Sequence, residues 1–86
     1  MQSFPQYRKL NNGKSYYKIN STADFIEIGT MGQYYWEVAI TAKILPERVM
    51  IEDMLNGMGE TYIAITAEEF EEFLNICTTQ KQKKVV

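Results

Sequence analysis

The chain has 86 residues, 45% hydrophobic and 23% charged, with a formal net charge of −2, no histidine and one cysteine, Cys77. This size suits one small soluble domain with a modest core, and the slight acidity argues against a general polyanion binder. Without histidine the usual general base near neutral pH is missing, and a lone cysteine allows neither an intrachain disulfide nor a cysteine-built zinc site.

The first element is a predicted hairpin. Residues 7–10 and 15–19 flank Asn11-Asn12-Gly13-Lys14, where Asn12-Gly13 tolerates the positive φ of a tight turn. Asn20-Ser21-Thr22-Ala23-Asp24 reads as a turn or a single helical turn, because these polar side chains bond their own backbone. Phe25-Ile26-Glu27-Ile28 resumes an extended pattern, and Gly29-Thr30-Met31-Gly32 reads as the next turn.

Residues 34–44 then alternate as a single long strand. Tyr34, Trp36, Val38, Ile40, Ala42 and Ile44 form the face expected to be buried. Tyr35, Glu37, Ala39, Thr41 and Lys43 form the face expected to meet water.

Pro46 ends that strand and suits the first position of a helix. Met50, Ile51, Met54 and Leu55 share one helical face, with Arg48 four residues before Glu52 and with Gly57 and Gly59 as stops. An extended reading of residues 49–51 stays open. Residues 60–65 form a short strand. Thr66 and Glu69 then fit a capping box, followed by Phe70, Phe73, Leu74 and Cys77 at i, i+3, i+4 and i+7.

These elements predict one α+β domain over residues 1–77. It is a small antiparallel sheet of four to five strands, with a C-terminal amphipathic helix on one face and a shorter helix after Pro46. Residues 78–86 form a polar, basic tail that should fray unless a neighbour holds it.

No group of residues points to catalysis. Cys77 falls on the apolar helix face and has no histidine to activate it. Glu68, Glu69, Glu71 and Glu72 sit in the first turns of a helix, where the dipole favours negative charge, rather than in a loop shaped around a cation. The glycine pairs lack the strand, helix and lysine context of a phosphate loop. No apolar run approaches the roughly 18 residues that span a bilayer. The opening residues resemble no signal peptide, so synthesis in a cytoplasm is expected. The chain is therefore expected to be no enzyme, and to use neither cofactor nor metal.

Two surfaces remain as candidates. The first is a protein interface of Tyr35, Ala39 and Met31 with the basic residues Lys81, Lys83 and Lys84, to which Met54 and Met58 add adaptable contacts. The second is a stacking surface for single-stranded nucleic acid, built from Arg8, Lys14, Tyr16 and Lys18.

Three phrases carry a resemblance: residues 14–19 (KSYYKI), residues 42–48 (AKILPER) and residues 65–72 (ITAEEFEE). They are similar to short uncharacterised proteins of gut Bacteroides and their crAss-like tailed phages. The likeness covers most of the chain beyond Asn12 and carries no catalytic residue. It implies an auxiliary, decorating capsid protein that binds other capsid subunits or further copies of itself. Such a protein would be assembled in the host cytoplasm and reside in the virion. The alternative it leaves is a small nucleic-acid-binding or regulatory, host-takeover module.

Overall fold

The computed structural model describes residues 3–56 and 61–84. In chain order the elements are β1 (Gln6–Leu10), β2 (Ser15–Ile19), β3 (Asp24–Met31), β4 (Tyr34–Thr41), α1 (Leu45–Asn56), β5 (Tyr62–Ile65), α2 (Ala67–Gln80) and β6 (Gln82–Lys83). The class is the expected α+β. The expected stops at Gly57 and Gly59, and the contact at Met58, lie outside the described residues.

Strands β1 to β4 form an antiparallel meander whose turns follow from local chemistry. Gly13 takes φ 74° and donates its N–H to the Leu10 carbonyl at 2.8 Å, while the Asn12 side chain accepts from the Lys14 N–H. Before β3, the Ser21 hydroxyl donates to the Asp24 carboxylate and accepts from the Ala23 N–H. Gly32, at φ 60°, opens a two-residue loop that sets Met31 opposite Tyr34.

Gly29 is not in that turn. It lies within β3 opposite Trp36, whose indole covers it so closely that a Cβ there would sit 2.3 Å from the ring. The expected four-residue turn shortens because glycine is needed here for this close approach.

The strand order is β5-β1-β2-β3-β4-β6. The chain crosses from β4 through α1 to the far edge at β5, then returns through α2 to β6. Following the pairings, β5 and β6 both run parallel to β4. The two crossovers travel in opposite directions on opposite faces, so they share one hand, as parallel connections strongly prefer.

Each helix covers one face. On the first face, Tyr17, Ile19, Phe25 and Ala42 pack with Ile51 and Met54 of α1. On the second, Ile28 and Tyr35 pack with Phe70 and Cys77 of α2, and Tyr16 stacks on Phe73 with ring centroids 3.7 Å apart. Met50 and Leu55 flank the first cluster, so residues 49–51 are helical.

Helix α2 starts as expected at Thr66, whose side chain accepts from the Glu69 N–H at 3.1 Å. The Glu69 carboxylate does not reach back to complete a capping box. It pairs instead with Lys9 Nζ on β1 at 3.0 Å, tying the helix start to the sheet.

The C-terminal segment belongs to the fold. Helix α2 runs on to Gln80, and β6 pairs with Tyr34 and Tyr35. Gln82 N–H donates to the Gln33 carbonyl at 2.8 Å, Lys84 N–H to Tyr35 at 2.7 Å, and Lys81 Nζ to Gly32 at 2.6 Å. Residues 78–84 thus find partners within their own chain.

Two outcomes check this packing. Gly29→Ala should cost about 1–3 kcal/mol in urea unfolding, with a red shift of the single tryptophan's emission, and much less in a Trp36→Ala background. The amides of Gln82 and Lys84 should be protected in hydrogen exchange of the dilute protein, at a level comparable with β4.

Candidate functional site

Short helices on a six-stranded sheet leave two corners bare. On the α2 face the bare corner carries Glu37, Ala39 and Thr41 beside Lys18 and Asp24, and it is mostly polar. On the α1 face the bare corner lies at the β3–β4 turn and is apolar. Met31 is 70% exposed and Tyr34 49%, and with Trp36 and Lys84 they line a groove of about 240 Å³.

The groove floor is set by sequence. Gly29 lets the indole lie flat across β3, and Trp36 Nε1 donates to the Glu27 carboxylate at 3.1 Å. The ring is thereby fixed on two sides while one face stays open. Lys84 is on the rim because β6 carries it alongside Tyr34 and Tyr35. Rigid aromatic surface beside an adaptable methionine is the composition of a protein-contact site.

Tyr35 corrects the sequence reading. It is 7% exposed, buried with Ile28, Phe70 and Cys77. Its face of β4 is dry at that position because α2 crosses there. Conversely, Tyr34 was expected in the core and is half open, since α1 reaches only the other end of β4, at Ile40 and Ala42. Ile44 lies beyond the end of β4 and is exposed rather than buried. Met54, expected at an interface, is buried under α1.

Of the other interface candidates, Met31 and Lys84 meet in the groove, whereas exposed Ala39 lies on the opposite face, in the polar corner. Lys83 is exposed beside Tyr35, and Lys81 is engaged with the β3–β4 turn. Tyr34 and Trp36 are the site residues that sequence reasoning missed. The signal was present: aromatic residues occur on both parities of β4, so alternation alone does not choose the buried one.

The nucleic-acid candidates do not share a surface. Arg8 pairs with Tyr17, so it faces α1, while Tyr16 and Lys18 face the other way. Arg8 is also occupied: its Nε donates to the Met54 carbonyl at 2.8 Å, and its other nitrogens donate to the Tyr7 carbonyl and the Gln6 side chain. It caps the end of α1, and partial burial lowers its pKa. Tyr16 is stacked on Phe73, Lys18 is half-buried, and Lys14, in the β1–β2 turn, is exposed.

No family model, no curated protein and no solved structure matches this chain.

A larger cleft, about 600 Å³, lies between α1 and the turn at Thr22 and Ala23, with Arg48 and Glu52 as its charged lining. Cys77 is buried, and desolvation pushes its thiol pKa up, so it resists ionisation where it stands.

Glu27 links the groove to the core. Burial first, and then the nearby Glu27 carboxylate, push the Tyr17 hydroxyl pKa up to about 12. A raised folded-state value means that the neutral phenol stabilises the fold fully below the ordinary tyrosine pKa near 10. That stability is lost as pH rises from there through about 12. Unfolding free energy should therefore fall across this window, and Tyr17→Phe should flatten the fall. Urea melts at pH 9 and pH 11.5 measure it.

Proposed function

We propose that this protein is a non-enzymatic assembly component that holds a protein partner through the groove of Met31, Tyr34, Trp36 and Lys84. The observation that carries the reading is the contrast between the two bare corners of one sheet. One corner is finished with polar side chains, and the other leaves Met31 and Tyr34 exposed beside a half-buried indole held by Glu27. Exposed apolar surface rimmed by polar groups marks interaction sites. Lys84 on the rim favours a partner that presents an apolar side chain next to an acidic one.

The more specific form is an auxiliary capsid protein of a tailed phage, and its support is the sequence resemblance alone. A small protein with an apolar anchoring groove suits repeated, modest contacts on a larger lattice. The rival nucleic-acid module loses its main support, because Arg8 is spent on α1 and its proposed companions lie on the other face.

Sedimentation in extracts of the cells that make the protein tests the reading. The unsubstituted chain should travel in a fraction far heavier than its own 10.0 kDa. Met31→Ser with Tyr34→Ser should return it to the light fraction, at least tenfold, with the fold intact by circular dichroism. Light sedimentation of the unsubstituted protein, or a heavy fraction dissolved by nuclease, would sink the proposal.

A further inference from the structure

Among the described residues the exposed large apolar side chains are Met31, Tyr34, Ile44, Leu45, Val49 and Ile76. Two of these stand in the groove, and three gather at the start of α1. Ile44, Leu45 and Val49 are 59%, 73% and 43% exposed. The inner side of α1 is already supplied by Ile51 and Met54, with Met50 and Leu55 beside them, so these three are spare to the core. Leu45, Val49 and Asp53 recur every four residues and line up as a ridge on the outer side of the helix, all three exposed.

The ridge begins from a fixed point. The Glu47 carboxylate accepts from the N–H of Lys43 at 3.0 Å and of Ile44 at 3.4 Å, and Arg48 N–H donates to the Ile44 carbonyl at 3.3 Å. Arg48 turns aside into the cleft, which it lines with Glu52. Asp53 is therefore the charge in line with the two apolar side chains. Neither the Asp53 carboxylate nor the Lys84 ammonium is in a salt bridge among the described residues.

We infer that the occupant of the groove is a second copy of this chain, which presents the Leu45, Val49 and Asp53 ridge of its α1. The inference rests on the groove reading and names its partner. Leu45 and Val49 cover Met31, Tyr34 and half-buried Trp36, and the Asp53 carboxylate meets the Lys84 ammonium. From Leu45 to Asp53 the ridge spans about 12 Å, so one short helix stretch carries both the apolar contact and the charge. The docking is onto the α1 face of the sheet and not onto its edge, so β6 stays in place and supplies the rim. The groove is basic at its rim and the ridge acidic at its end, which favours groove on ridge over either surface on itself. Groove and ridge are different surfaces, so the contact is head to tail. Each added copy leaves one groove and one ridge free, and the series grows until it closes as a ring or continues as a filament. A contact this small is weak singly and gains from repetition.

Purified protein tests this without any other partner. In sedimentation equilibrium the average mass should climb above the 10.0 kDa of one chain as concentration rises into the hundreds of micromolar. Met31→Ser with Tyr34→Ser removes the groove, and Leu45→Ser with Val49→Ser removes the ridge. All four side chains are exposed, so both variants should keep their circular dichroism. Each alone should stay monomeric over that range. Mixed in equal amounts they should pair one to one and stop at twice the chain mass, because one groove and one ridge remain between them. Asp53→Lys should weaken association at least fivefold, and Asp53→Lys with Lys84→Glu should restore it. An unsubstituted protein that stays monomeric throughout overturns the inference. So does a ridge variant that associates unchanged, or a mixture no heavier than its two components. A heavy fraction in cell extracts that survives the ridge substitutions but not the groove substitutions overturns this inference alone and leaves the groove reading standing.

Discussion

A 12-residue and a 14-residue helix must shelter both faces of a six-stranded sheet. At 1.5 Å per residue the helices are about 18 and 21 Å long, while six strands extend about 24 Å across. A helix is only about 10 Å wide, so each covers a diagonal band and leaves a corner bare. The rest of the molecule follows from this shortfall. The buried residues cluster under the two bands. The polar corner at Glu37 and Thr41 meets water at little cost, and the corner at Met31 and Tyr34 leaves apolar surface in water.

The connections that produce the bands also pin them. Arg8 holds the end of α1 through the Met54 carbonyl, and Lys9 holds the start of α2 through Glu69. These adjacent residues of β1 point to opposite faces, so one short strand anchors both helices. At the far edge, Lys81 and β6 tie the end of α2 to the β3–β4 turn. The groove therefore sits on a corner fixed from both the turn and the C-terminal segment.

Much of this is legible in the sequence where a single local signal sets the structure. Gly13 marks its turn, Thr66 caps its helix, and the spacing of Phe70, Phe73, Leu74 and Cys77 defines the buried side of α2. Facing is not legible in the same way. Alternation in β4 gives a period of two, but a sheet covered on both sides buries residues of both parities at different points along the strand. Tyr35 and Ala42 are both buried on β4 or just past it, yet they face opposite helices. The ordering of residues 78–84 is likewise a tertiary effect, since Gln82 and Lys83 have no strand signal of their own. Half of the groove, Met31 and Lys84, is foreshadowed. Tyr34 and Trp36 are hidden because bulky aromatics read as core.

The order of the strands along the chain has a consequence for synthesis. Meander β1 to β4 needs only neighbouring segments and can form as it emerges. The helices that cover it, and β5 and β6 at its edges, all come later. At common translation speeds the stretch from Thr41 to Lys83 takes roughly 2–8 s to appear. A sheet of β1 to β4 formed in that interval would have Tyr17, Phe25, Ile28 and Tyr35 uncovered on its two faces. The parts of the chain that finish the fold are thus also the parts that end its most aggregation-prone moment.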